Sequence, residues 1–247
     1  MKATFRIMSD VLLEARRNQF FWMTVAVCVL FIGLFGFLST VNASLKGKIF
    51  VEAGFTTLWF VHFTLAILFA TESIYGEDER KSVYFYLTRN VTRQQYILGK
   101  FLGFWLIIAI SLSICSLVFL SCLSYLLEFK AQYLAGVGFI FLETGLTLAV
   151  VLLLSRVFSK IITIFGFLLL FFFSTLLEYL VLSKGTTFVF GLFYLTLPNY
   201  KYYSYLEMVV HAKSLSYEYL GFLLAYTLCM SLFYLILCSF QYERKSL

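Results

Sequence analysis

Six long apolar stretches, at about residues 20–41, 54–75, 99–127, 133–155, 161–182 and 219–241, dominate this chain, and short polar segments separate them. A hydrocarbon core about 30 Å thick is crossed by roughly 20 apolar helical residues, so each stretch meets or approaches the length of a span. A water-soluble fold could not hide them. Of the 247 residues 62% are hydrophobic and only 13% charged, too few charges to cover that much apolar surface. Lipid is therefore the solvent. The expected fold class is an all-α membrane protein with six transmembrane helices forming one domain over residues 1–247.

Two further elements are expected outside the spans. Placed at 100° per residue, Phe5, Ile7, Met8, Val11, Leu12 and Ala15 fill one arc of a helix over about residues 3–17, while Lys2, Arg6, Asp10, Glu14 and Arg17 fill the other. Only Leu13 falls in the wrong half. Such an amphipathic helix can lie at the headgroup boundary and lead into the first span. Its interleaved charges do not form a cleavable signal peptide. The second element lies between spans five and six, from Ser183 to about Tyr217, where the chain is aromatic and partly apolar with one breaker at Pro198 and Asn199. It reads as short interfacial or re-entrant helices, with Tyr200, Tyr202, Tyr203 and Tyr205 at headgroup level, where an amphipathic ring is favoured.

Orientation follows from the basic residues. With the N-terminus inside, thirteen Lys and Arg fall on inner segments: Lys2, Arg6, Arg16, Arg17, Arg80, Lys81, Arg89, Arg93, Lys100, Arg156, Lys160, Arg244 and Lys245. Six fall outside: Lys46, Lys48, Lys130, Lys184, Lys201 and Lys213. The excess places both termini and the polar stretch Thr71 to Gly103 on the cytoplasmic side of a cytoplasmic (inner or plasma) membrane. The same clustering beside apolar runs argues against a nucleic-acid face, despite a net charge of +6.

Little in the chain can carry catalysis. It has no phosphate-binding loop of the G-x-x-x-x-G-K-[ST] type and no Gly-rich dinucleotide turn. It has no H-E-x-x-H, and its two histidines, His62 and His211, fall on opposite sides of the expected membrane geometry, so no metal is expected. The five cysteines lie inside apolar runs without a C-x-x-C, as small packing residues do. Glu143 and His62 sit near the middle of spans four and two, with Glu72 and Glu178 near span ends. A charge at bilayer centre costs about 2.5 to 3.5 kcal/mol on insertion scales, so Glu143 must face protein or a wet cavity, or be protonated. It is either a polar point on a translocation path, a proton site, or an interhelical hydrogen bond.

The stretch Thr71 to Gly103 carries a recognisable pattern. Glu72, Gly76, Glu77 and Glu79, then Leu87, then Arg93, Tyr96, Leu98, Gly99 and Lys100 read as E-x-x-x-G-E-x-E, a short apolar run, and R-x-x-Y-x-L-G-K. This resembles the ABC-2 type permease family, as does the layout of amphipathic helix, six spans, outer segment between spans five and six, and short basic C-terminus. Two positions depart from the family. Arg80, Lys81 and Ser82 stand where many members have Gly-Thr, and Thr88, Arg89, Asn90 and Val91 stand where many have a proline.

The resemblance implies a non-catalytic permease subunit of an exporter. Such a subunit pairs with a second permease copy, identical or paralogous, and with separately encoded ABC ATPase subunits that hold the ATP and Mg. It also implies a coupling segment over about residues 76–98. Gly76, Glu77, Asp78, Glu79, Arg80, Lys81 and Arg93 are then the candidates for ATPase contact, with Val83, Tyr84 and Leu87 as an apolar face that can seat in a groove. The path is expected at the dimer interface, with His62, Glu143, Phe171, Phe172 and Phe173 as candidate lining residues. An aromatic, weakly charged lining suits an amphipathic or lipid-linked substrate. The competing reading is a self-contained proton-coupled carrier using Glu143, or an intramembrane enzyme. Carriers usually show paired repeats, which these two halves lack, and an enzyme needs a denser polar cluster.

Overall fold

The computed structural model describes residues 2–41, 46–80, 92–127, 129–184, 196–204 and 216–244. Its helices are α1 (Lys2–Arg17), α2 (Gln19–Val41), α3 (Lys46–Arg80), α4 (Arg93–Leu126), α5 (Ala131–Val157), α6 (Lys160–Lys184) and α7 (Tyr217–Arg244), with a 3₁₀ turn at Tyr200–Tyr203. Five of them, α2, α3, α4, α5 and α7, are long and apolar enough to cross a membrane. The stretch expected as the fifth span is helical as well, and its described apolar portion, Lys160–Leu176, is shorter.

Helix α5 is the axis of the bundle. Its positions are buried for most of its length, and α3, α4, α6 and α7 all pack on it. Glycine permits two close approaches in this bundle. A Cβ on Gly145 would stand 2.7 Å from the indole nitrogen of Trp105. With that space open, the Trp105 ring lies flat on Phe141, 4.7 Å between centroids, and its N–H reaches the Phe141 carbonyl at 3.3 Å. Between α3 and α4, Gly54 leaves room for Phe119, whose ring edge would be 2.1 Å from a Cβ there.

At the N-terminus Asn18 interrupts the helix. Its side chain accepts from the Phe20 amide at 2.9 Å, and the Trp22 indole donates to the Arg16 carbonyl at 3.0 Å, which fixes the bend from α1 into α2. The inner row of α1, Ile7, Val11 and Ala15, is buried against α4. Much of the apolar arc expected at the headgroup boundary therefore faces protein, while Phe5 and Leu13 stay exposed.

The helix boundaries around the polar stretch differ from the expected ones. The second span, expected at 54–75, lies in a helix that runs from Lys46 to Arg80, and the third, expected from 99, starts at Arg93. Hydropathy marks where lipid ends and not where a helix ends. No proline falls between Thr71 and Arg80, so the helix continues into the acidic cluster. The start of α4 has a capping box, with Thr92 accepting from the Gln95 amide and Gln95 accepting from the Thr92 amide, both at 3.3 Å. The segment read as 76–98 thus has helical ends that belong to the spans themselves.

Candidate functional site

Adjacent residues on a helix point about 100° apart, so neighbouring positions of α3 serve different interfaces. His62 looks toward α4. Its ring is fully buried, Nδ1 donates to the Leu58 carbonyl at 2.7 Å, and Nε2 accepts from the Ser111 hydroxyl at 3.1 Å. Cys115 and, beyond it, Cys28 of α2 complete this small polar cluster. Both ring nitrogens are occupied, which makes His62 a tie between spans.

Trp59 and Phe63 leave α3 in another direction. Trp59 stacks on Phe63 with centroids 4.9 Å apart, and Phe63 meets Phe171 of α6 edge-on at 5.0 Å. Glu143, at mid-length of α5 and only 4% exposed, lies within hydrogen-bonding reach of the Trp59 indole. Phe171 and Glu143 therefore belong to one layer, to which Phe167 adds a ring 5.6 Å from Phe63. Phe172 and Phe173 point outward and are exposed.

The layer is completed by a residue that sequence reasoning placed elsewhere. Tyr200 and Tyr203, expected among lipid headgroups, are buried at 4% and 2% exposure. Tyr202 is half-buried, and Tyr205 lies outside the described residues. The Tyr200 ring is 4.9 Å from Phe171 and 6.2 Å from Phe167, and its hydroxyl sits beside Thr147, one turn of α5 from Glu143, without the alignment of a hydrogen bond.

The reason is visible along α7. The Tyr234 hydroxyl donates to the Thr196 carbonyl at 2.7 Å, the Asn199 amide donates to the Tyr226 hydroxyl at 2.7 Å, and the Tyr219 hydroxyl donates to the Tyr202 carbonyl at 2.6 Å. Tyr219 and Tyr234 are separated by about 22 Å of helix at 1.5 Å per residue. The 196–204 segment thus runs down α7 to the middle of the bundle. Irregular backbone at such depth persists where protein satisfies its polar groups, and three tyrosines do so here. Residues 196–204, with their 3₁₀ turn at Tyr200–Tyr203, therefore pack inside the bundle along α7.

The opposite end of α3 is tied down separately. Tyr75 donates to the Phe158 carbonyl in the turn between α5 and α6, and its oxygen lies 3.0 Å from the Thr163 hydroxyl. Glu72 and Lys160 form an ion pair beside it. Of the expected coupling residues, Gly76, Glu77, Asp78, Glu79 and Arg80 form the last turn of α3 and Arg93 opens α4. Lys81, Val83, Tyr84 and Leu87 lie outside the described residues. No group of three or more His, Cys, Asp or Glu among the described residues could hold a metal ion.

A bundle with five helices long and apolar enough to cross a membrane defines an integral membrane protein. The family of ABC-2 transporter proteins matches residues 12–247, and the chain belongs to that family. It is accordingly a permease component of an ABC transporter. No curated protein sequence matches the chain.

Proposed function

We propose that this chain is the permease half of an ATP-driven exporter. It works as a pair of copies, identical or paralogous, in the cytoplasmic membrane, with both termini cytoplasmic and α6 counted as the fifth of six spans. The family match over nearly the whole chain carries this reading. The sequence holds no phosphate-binding loop of its own, so ATP and Mg belong on separate ATPase subunits.

Coupling runs through the segment between α3 and α4. Helix α3 is unbroken from the aromatic layer at Trp59 and Phe63 to the acidic turn Glu77 to Arg80, which supports its use as a rigid connector. Charges of both signs at Glu77, Asp78, Glu79, Arg80 and Arg93 suit a polar docking surface. The substrate class is amphipathic or lipid-linked, because the interior beside Glu143 is aromatic and the outer faces of α2, α6 and α7 are apolar.

The test is extraction in mild detergent followed by purification through a tag on this chain. An ATP-hydrolysing partner is expected to co-purify, and reversing the charges of Glu79 and Arg80 is expected to release it or to uncouple its hydrolysis. A chain that purifies without any ATPase would overturn the reading.

A further inference from the structure

Among the described residues, helices α3 and α6 meet at two levels. At the inner level Tyr75 reaches the Phe158 carbonyl and Thr163, with the Glu72 and Lys160 ion pair alongside. Thr163 is itself fully buried, and its hydroxyl lies 3.2 Å from the Leu154 carbonyl, so the tie takes in the last turn of α5 and the first turn of α6 together. At the middle level, about 18 Å away along α3 at 1.5 Å per residue, Trp59 and Phe63 pack on Phe171 and Phe167.

The two levels differ in kind. Ring pairs keep their contact over a range of offset-stacked and edge-to-face arrangements with centroids about 4.5 to 7 Å apart, whereas a hydroxyl bonded to a backbone carbonyl holds distance and direction within a narrower range. The inner level is therefore where displacement of α3 is handed to α6. The middle level is where α6 delivers it, since Phe167 and Phe171 are the residues against which Tyr200 rests.

We propose that Tyr75 and Thr163, aided by Glu72 and Lys160, are positioning residues that make α6 follow the inner end of α3, so that ATPase action on the coupling segment moves the aromatic layer around Tyr200 and Glu143. This rests on the permease reading above. The ion pair is solvent-exposed and gives direction more than strength. The Tyr75 hydroxyl, bonded to a main-chain carbonyl, is the stronger part. None of these four residues belongs to the segment that meets the ATPase.

The experiment uses the full chain assembled with its co-purified ATPase in lipid nanodiscs. Spin labels are placed on two exposed positions, Ile161 at the inner end of α6 and Leu117 on α4. The distance between them is read without nucleotide and after trapping with ATP, Mg and vanadate. A shift on trapping is expected in the unmodified chain. In the Tyr75→Phe, Thr163→Val double variant, which removes both hydroxyls of the tie, the ratio of shifted to unshifted population is expected to fall at least about threefold, the scale set by the net strength of a single hydrogen bond, while ATP hydrolysis persists. Glu72→Lys alone is expected to reduce the shift, and Glu72→Lys with Lys160→Glu to restore it.

A full shift in the double variant overturns the proposal, as does an absent shift in an unmodified complex that hydrolyses ATP. Loss of the ATPase from the unmodified chain overturns the permease reading instead, and the proposal with it.

Discussion

The hydroxyls of Tyr203 and Thr227 lie 2.6 Å apart in the interior, where the 196–204 segment crosses the middle of α7. Thr227 also reaches back to the Leu223 carbonyl at 2.7 Å, so it donates there and accepts from Tyr203. A double-mutant cycle of Tyr203→Phe and Thr227→Val, read by thermal unfolding in detergent, is expected to give a coupling of about 0.6 kcal/mol, the average for interhelical hydrogen bonds in a membrane protein, and not above about 1.7 kcal/mol. A coupling near zero would mean that ring packing alone holds the segment.

The seam between α1 and α4 is set by Gly99 and Gly103. A Cβ at either position would come within 2.9 Å of Ile7 or Val11. Gly103→Leu is expected to detach α1 from the bundle and to destabilise the protein by about 1 to 3 kcal/mol through overpacking. Gly33, where a Cβ would meet nothing within 4 Å, is the control, and Gly33→Leu is expected to be silent. Protease sensitivity of the linker at Asn18 reads the detachment directly.

Gly54 offers a sharper version of the same test. The Phe119 ring sits 2.1 Å from where a Cβ would be, and Phe119 is wedged between Phe50 and Phe55, at 5.3 and 5.1 Å. Gly54→Ala forces that ring to move and is expected to lower stability by about 1 to 3 kcal/mol. Adding Phe119→Leu to Gly54→Ala is expected to recover part of the loss, since a smaller side chain frees the contested volume.

Glu143 separates a role in function from a role in holding the fold. A Gln in place of Glu143 keeps the side chain's size and an acceptor for the Trp59 indole, whereas an apolar residue would remove that acceptor at a cost of about 1 to 3 kcal/mol. Glu143→Gln is therefore expected to keep the melting temperature while lowering ATP hydrolysis by the assembled complex. A melting temperature lower by several degrees, with hydrolysis unchanged, would assign Glu143 to packing.

Much of the bundle was legible in the sequence because lipid imposes a single strong rule on long segments. Apolar runs of span length located the helices, and the arc of Ile7, Val11 and Ala15 located the inner face of α1. The boundaries near the polar stretch were not legible from hydropathy, which sees water at Glu77 but not the helix that continues through it. The Thr92 and Gln95 pair was a readable signal for the start of α4. The site was legible in pieces. Glu143 stood out by the cost of its charge, and Phe171 by its block of rings, but nothing in the residues themselves says that Trp59 joins them while His62, three positions on, turns toward Ser111. Tyr200 was misplaced because the preference of tyrosine for the membrane boundary describes rings facing lipid. A segment held by three hydroxyls of α7 obeys its own hydrogen bonds instead.

In the coupling proposed above, the unbroken helix α3 would work as a reducing lever. Gly54, where packing against Phe119 is tightest, is a natural fulcrum. From there the helix extends about 39 Å to Arg80 but only about 8 Å to Trp59, at 1.5 Å per residue. A tilt of about 5° about that point displaces the acidic end by about 3 Å and the Trp59 ring by less than about 1 Å, by the same rise per residue. A coarse stroke at the Arg80 end would thus become a fine adjustment at Trp59 beside the buried carboxyl, with the force multiplied by the ratio of the two arms.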